Sequence, residues 1–238
     1  IDAEGGDTGM TDDLPYARRV AEHLGVQLEV VKVSSERMAA GLVKMVEQLD
    51  EPLADPAPLN VLFISQLARS HGIKVLLSGA GGDDLFTGYR RHRAIQAERY
   101  WDWLPYSMRS GLNWLSSRLD QRTSYGRRIS KLFEGATLDT EERLLNYFKW
   151  ISRDDLNKLL SDDFLSALGS ESATEPLRKF IEPLGKNVPR LEQMLALEQR
   201  FFLTDHNLTY TDKMSMAEGV EVRVPFLDLD LVEFASRI

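Results

Sequence analysis

The sequence predicts an α/β protein, a parallel twisted sheet with flanking helices followed by a largely helical C-terminal part. Three observations carry this. Strand and helix patterns alternate up to Tyr89. The segment 74–89, KVLLSGAGGDDLFTGY, runs from a short apolar strand into a glycine-rich turn. Beyond it, apolar residues recur at three- and four-residue spacing almost to the end. The expected division is an α/β part over residues 1–90 and a mainly helical part over 91–238, with residues 205–228 a distinct segment of the second.

In order, Asp12, Asp13 and Pro15 open a helix that runs through Leu24 and ends at Gly25, and residues 26–33 (VQLEVVKV) alternate as a strand. A second helix presents Met38, Leu42, Met45, Val46 and Leu49 on one face, and the turn DEPLADPAP over residues 50–58 ends it. A third helix starts at Asn60, closes near His71 and Gly72, and feeds the strand Ile73, Val75, Leu76, Leu77, whose apolar run suits a buried parallel sheet. Such alternation implies right-handed crossovers with ligands at the carboxyl ends of the strands. Helices follow over 93–103, 107–119, 141–151, 154–160 and 191–203. Trp101, Trp103, Tyr106 and Trp114 read as packing between helices, and residues 169–175 (GSESATE) as a mobile loop.

The chain of 238 residues is 43% hydrophobic, enough for one large domain or two small ones with a real core. A net charge of −8 opposes nucleic-acid binding through a broad basic surface, and the local cluster Arg118, Arg122, Arg127, Arg128 and Lys131 reads as a solvated helix face or partner surface rather than an RNA site. The absence of cysteine excludes thiol catalysis, disulfides and thiolate metal sites. His23, His71, His92 and His206 show no paired ligand spacing. No apolar run approaches the ~18 residues of a membrane helix, and no signal peptide is visible, so a cytoplasmic protein without membrane or nucleic-acid partners is expected. The chain opens on Ile1 in a strand remnant and stops at Ile238 within a helical pattern, and it reads as a fragment.

Two segments carry chemistry. In the first, Gly79, Gly81 and Gly82 let a ligand approach main-chain N–H groups. Asp83 can hold a divalent cation bridging phosphate oxygens, and Asp84 can cap the next helix. The same turn also suits a purely structural strand-to-helix connection; it is not a Walker loop, and its glycines miss the GxGxxG spacing. The second segment, residues 205–228 (DHNLTYTDKMSMAEGVEVRVPFLD), sets Lys213 among Thr209, Thr211, Asp212 and Ser215 in a stretch that interrupts helical periodicity. A lysine there is either an ordinary surface residue or a fixed charge for a phosphate or developing oxyanion.

LLSGAGGDDLFTGYRRH followed by LTYTDKMSMAEGVEVRVPFLD strongly resembles the synthetase domain of glutamine-dependent asparagine synthetases, members of the ATP-pyrophosphatase (HUP-like) group. DEPLADPAP and DDLPYARRVAEHLG are similar to that family too. The resemblance implies ATP-dependent amide formation: a carboxylate, aspartate or another, attacks the α-phosphate of ATP, pyrophosphate leaves, and ammonia converts the acyl-adenylate to the amide. It implies ATP and Mg2+, with Asp83 as the Mg2+ ligand and Ile1, Ser78, Gly79, Gly81 and Gly82 at the nucleotide. Lys213 would be the catalytic lysine, with Asp84, Asp55 and Arg223 supporting; Arg223 and Asp228 are expected to pair near the end of the sheet. The implied partners are the small-molecule substrates and a glutaminase domain that supplies ammonia; a homodimer is one option for an oligomeric state that the sequence leaves open.

Three departures qualify the resemblance. The family's Ser-Gly-Gly-x-Asp-Ser pyrophosphate loop does not occur in this sequence, and EGGD at residues 4–7 lies beyond the second strand, so the fragment is expected to bind ATP weakly and to be inactive alone. The glutaminase domain with its cysteine does not occur in it either. Ala80 stands where asparagine-forming members often carry an acidic residue, and a methyl group can neither orient an ammonium nor take a proton. The alternatives are a related amidotransferase or cyclising synthetase acting on another carboxylate, and a non-catalytic nucleotide-binding module.

Overall fold

The structure, a computed structural model, describes residues 2–3, 14–120, 122–151, 153–169, 172–185 and 187–238. The chain order is β1 (Asp2–Ala3), α1 (Leu14–Leu24), β2 (Lys32–Val33), α2 (Ser35–Gln48), α3 (Ala57–Ser70), β3 (Val75–Leu77), α4 (Gly82–Leu85) and α5 (Arg90–Ala97). Helices α6 (Tyr106–Ser117), α7 (Ser124–Phe133), α8 (Thr140–Asn146), α9 (Arg153–Leu159), α10 (Asp162–Leu168), α11 (Glu175–Ile181) and α12 (Arg190–Leu197) come next. A π-helix (Glu198–Leu208) runs into α13 (Thr209–Met216), followed by β4 (Glu221–Arg223), a 3-10 turn (Pro225–Leu227) and α14 (Leu229–Ala235). Two compact units result: Ile1–Gly82 with Leu203–Ile238, and Asp83–Phe202.

In the first unit, α3 packs against α2 and α13. Val31, Val33, Met45, Leu59, Leu62, Phe63 and Met214 form its core, and Gly41 of α2 leaves room for the side chains of Leu59 and Phe63. Helix α1 ends as expected at Gly25, whose φ of +63° suits glycine. Helix α3 starts at Ala57 rather than at Asn60, because Pro58 is tolerated in a first turn and the Asp55 Oδ1 accepts a hydrogen bond from the Ala57 N–H at 2.9 Å.

The strands are parallel, as expected, but form two separate pairs. Asp2 and Ala3 of β1 align with Lys32 and Val33 of β2, and Val75, Leu76 and Leu77 of β3 align with Glu221, Val222 and Arg223 of β4. Of the predicted strand 26–33 only two residues pair. An alternating pattern sets which face a residue prefers, but a ladder extends only as far as its partner. The 73–77 strand is shorter than predicted, and Val75 and Leu77 are exposed rather than buried: main-chain pairing with β4 satisfies the ladder but does not cover its faces.

In the second unit, Ile95, Leu144, Leu145, Ile181, Met194 and Leu197 are buried together. Beside them the Glu98 carboxylate meets the Arg143 guanidinium at 3.1 Å, as a charge contact rather than an aligned hydrogen bond, and accepts bonds from Arg190 at 3.2 Å and Tyr147 at 3.0 Å. Burial pushes the Glu98 carboxyl up despite these cations. Of the aromatic group expected to pack, Trp101 does, edge-on to Phe133 and beneath Arg143, whereas Trp103, Tyr106 and Trp114 are exposed. Arg118 stacks over Trp114 at 3.9 Å, and with Arg122, Arg128 and Lys131 it faces solvent. Of the loop 169–175, Ser170 and Glu171 lie outside the described residues.

Met214 is fully buried among residues of three other elements. Met214→Ala is therefore expected to lower unfolding stability by about 3 kcal/mol in chemical denaturation, through lost apolar burial and the cavity left behind.

Candidate functional site

The loop after β3 is fixed at both ends by main chain. The Ser78 N–H donates to the Arg223 carbonyl at 2.8 Å, which extends the β3–β4 ladder by one residue; the Ser78 hydroxyl accepts from the Ala80 N–H at 3.2 Å, and the Gly79 carbonyl accepts from the Gly82 N–H at 3.2 Å. Gly81 is buried with φ of +91°, and a Cβ on it would lie 2.5 Å from Leu227 Cδ2, so both conformation and space demand glycine. The Phe226 ring lies 3.7 Å from where a Gly82 Cβ would stand, whereas the space above Gly79 is open. The glycine motif and the VPFLD segment thus meet, the second forming the floor of the first. Ala80 is half-buried on the loop.

Asp83 follows in the first turn of α4, with an exposed side chain. The helix ends in a Schellman arrangement: the Gly88 N–H donates to the Asp83 carbonyl at 3.0 Å, and Thr87 is left-handed at φ +59°. A β-branched residue there is strained by roughly 1–2 kcal/mol. A Cβ on Gly88 would lie 1.8 Å from Asp83 Oδ1, so the carboxylate occupies the space that this glycine leaves.

Asp84 is not the helix cap. It lies within α4 and is 1% exposed; its Oδ2 accepts from the Tyr89 hydroxyl at 3.4 Å, and its Oδ1 is buried with no hydrogen-bond partner. Burial, and then the nearby Glu198, push this carboxyl up to about 6. Glu198, fully buried, binds Arg91 through both oxygens, at 2.8 Å for Nη2 to Oε2, and His92 Nε2 at 3.0 Å. Burial would raise its carboxyl, but these two partners more than reverse the effect and hold it low.

A further group surrounds the turn at residues 50–58. Lys213 stands on α13, not in an irregular stretch. The π-helix before it has more residues per turn than an α-helix, so it breaks the 3.6-residue pattern without breaking the helix. Its ammonium meets Asp50 Oδ2 at 2.5 Å, and this hydrogen bond, then the charge, raises the lysine above its usual range. Asp55 ties the start of α3 to His206, whose Nε2 lies 3.2 Å from Asp55 Oδ2 and whose ring meets Tyr210 edge-on. A cavity of about 430 Å³ opens here, lined by Asp50, Pro52, Asp205, His206, Thr209 and Tyr210 among others. Arg223 is exposed and pairs with Glu221 at 2.8 Å, not with Asp228, because residues two apart on a strand share a face; Asp228 caps α14 by accepting from the Asp230 N–H.

Residues 78–82 thus form one loop with Asp83 following directly, and Asp55 and Lys213 both hold the 50–58 turn. Ile1 lies outside the described residues. Sequence reasoning missed Asp50, His206, Gly88 and Glu198. Glu198 carried no local signal, since its partners are distant in sequence, whereas Gly88 inside FTGY was readable as a helix-end glycine, although the left-handed residue there is Thr87.

The family model "Asparagine synthase" matches residues 5–238. The chain belongs to the asparagine synthase family. The chain is similar to a putative glutamine-hydrolysing asparagine synthetase of Mycobacterium tuberculosis (strain ATCC 25618 / H37Rv), at 33% identity over 95% of this chain and 33% of the relative. It is also similar to asparagine synthetase 1 of Bacillus subtilis, at 27% identity over 95% of this chain and 34% of the relative, and to the amidase chyE of Penicillium rubens, at 27% identity over 95% and 35%. The chain spans about one third of the length of these curated relatives. No solved structure matches it. No helix among the described residues of this asparagine synthase family member is long and apolar enough to cross a membrane.

Mg2+ asks for one or two carboxylates besides phosphate and water oxygens. The exposed Asp83 carboxylate fits that demand as a single donor, and among the described residues no group of three acidic, histidine or cysteine side chains forms a site made by protein alone.

Gly81→Ala is expected to destabilise the fold by about 2 kcal/mol, since a methyl there meets both a positive φ and Leu227; thermal unfolding measures it. The depressed Glu198 carboxyl stabilises the fold above its unfolded pKa near 4.5, and that contribution is lost as the pH falls below it towards the folded value. Glu198→Gln should therefore be less stable than the parent at pH 7, with the two curves converging in acid denaturation below pH 4.5.

Proposed function

We propose that this chain is the synthetase part of an ATP-dependent amide-forming ligase with a HUP-like nucleotide fold. The observation that carries the reading is the loop at residues 78–82, an open turn at the carboxyl end of a parallel strand, followed at once by the exposed carboxylate of Asp83. Adenylation of a carboxylate needs charge neutralisation and in-line positioning more than proton transfer, and a glycine-lined backbone with an adjoining metal-binding carboxylate meets that need. Gly79, with nothing above it, offers the place of closest main-chain approach to the nucleotide, and Ser78 and Gly81 fix the curvature around it. Mg2+, when bound at Asp83, supplies charge neutralisation at the phosphates.

Aspartate is the proposed acceptor, in keeping with relatives named glutamine-hydrolysing asparagine synthetases, and ammonia, delivered by a glutaminase domain, is the proposed nucleophile that turns the acyl-adenylate into the amide. Ala80 favours a second reading within the same chemistry. Its methyl cannot hold the ammonium group of an amino-acid substrate, and the amidase named among the relatives is consistent with a different carboxylate. Lys213 is the proposed positive charge for the adenylation step; this requires Asp50 to release the ammonium when substrate binds, and otherwise Lys213 holds the 50–58 turn in place.

Pyrophosphate release by the full-length protein tests the reading. The first release should require ATP, Mg2+ and a carboxylate, with aspartate the first candidate, and continued turnover should require ammonia as well. Release with no dependence on any carboxylate would overturn the ligase, whereas indifference to aspartate alone would leave the second acceptor reading. Lys213→Ala should lower turnover by about 100-fold or more with little change in thermal midpoint, and undiminished turnover would remove Lys213 from the chemistry.

A further inference from the structure

We propose that the buried Glu198 carboxylate is a positioning residue for Asp83, holding the turn that places the Asp83 carboxylate towards solvent for a divalent cation. The inference rests on the ligase reading, which makes Asp83 the metal ligand. Glu198 is 0% exposed, so it is not a ligand for a solvent-facing ion itself.

The geometry leads from one to the other in short steps. Asp83 and Gly88 bracket one turn, joined by the Gly88 N–H to Asp83 carbonyl bond and by the carboxylate seated over the Gly88 Cα. Thr87 between them is held at positive φ, a conformation a β-branched residue leaves unless its flanks prevent it. On the Asp83 side the flank is the buried pair Asp84 and Leu85. On the far side, Tyr89 is the N-cap of α5, and two residues of its first turn, Arg91 and His92, both close on Glu198. Arg91 also stacks on Tyr89 at 4.5 Å and Phe202 at 4.2 Å, and Tyr89 meets His92 edge-on at 5.5 Å. One carboxylate thus fixes two successive residues of the helix that starts where the strained turn ends. If it lost its charge, Arg91 would be left partly buried without its partner, α5 could rotate, and Thr87 could relax towards negative φ, which would move Gly88 from beneath the Asp83 carboxylate.

The test uses the full-length protein with Mn2+ as the probe ion and ATP present, bound metal being read by electron paramagnetic resonance, alongside metal-free ATP binding and thermal unfolding. Glu198→Gln keeps the volume and removes the charge; it should raise the Mn2+ concentration for half-saturation by about tenfold and leave metal-free ATP affinity unchanged. Gly88→Ala, which puts a methyl where the Asp83 carboxylate stands, should raise it at least as far. A rise with Gly88→Ala and none with Glu198→Gln overturns the role of Glu198 while the ligase reading stands. A lower thermal midpoint in Glu198→Gln with unchanged Mn2+ dependence has the same meaning and marks Glu198 as purely structural. If Glu198→Gln does not fold, His92→Gln loosens one of the two ties; a smaller rise of the same kind supports the proposal and no rise overturns it. A parent protein that binds no Mn2+ with ATP overturns both the inference and the metal assignment on which it rests.

Discussion

The close approach of Leu227 to the Cα of Gly81 governs the shape of the nucleotide-loop candidate. Because a side chain on the PFL turn occupies the place a Cβ would need, the loop at residues 78–82 can close only with glycine at that point, and only while β4 delivers the turn to the same end of the sheet as β3. The ladder supplies that delivery: the same strand pair that aligns Leu77 with Arg223 extends by the Ser78 N–H to the Arg223 carbonyl. Two segments far apart in sequence therefore define one surface, and neither has its conformation without the other. This is also why Arg223 matters through its carbonyl, while its guanidinium pairs outward with Glu221.

The second unit is organised by buried charge rather than by a ladder. Glu198 and Glu98 are both buried carboxylates, yet their environments pull them in opposite directions. Glu198 is held low by two aligned partners, whereas Glu98 is pushed up by burial even with Arg143 and Arg190 beside it. Breaking a buried pair leaves a charge without compensation and typically costs about 3–5 kcal/mol, more than an exposed pair such as Arg223 with Glu221 contributes. The second unit thus commits its charged residues to holding helices α5, α8 and α12 in register, and leaves Asp83 to face water.

Much of the fold was legible in the sequence because its signals are local. Gly25 and Gly72 end α1 and α3 in left-handed conformations, and the parallel pairing follows from strands that alternate with helices. The errors share a physical origin, the absence of a partner from the local pattern. VQLEVVKV alternates but pairs over two residues; Val75 and Leu77 are apolar but lie exposed; Asp84 has the composition of a cap but not its position. In the candidate site, the 78–83 loop was legible from its glycines, and Lys213 was singled out before its Asp50 partner was known. Glu198, His206 and Asp50 were not legible, since their roles come from residues brought close only by folding.

The π-helix of 11 residues from Glu198 to Leu208 acts as an angular offset in the chain. Each of its residues turns the side-chain direction through less than an α-helical step, so the helix that continues from it has a different rotational phase. With that phase, Met214 and Ser215 face inward and Lys213 reaches Asp50, while His206 within the π-helix itself meets Asp55. A chain shorter by one residue in this stretch would revert to ordinary pitch and turn all of these contacts at once. Within the segment Glu198 and His206 make side-chain contacts of their own, so its length and these two residues are constrained together.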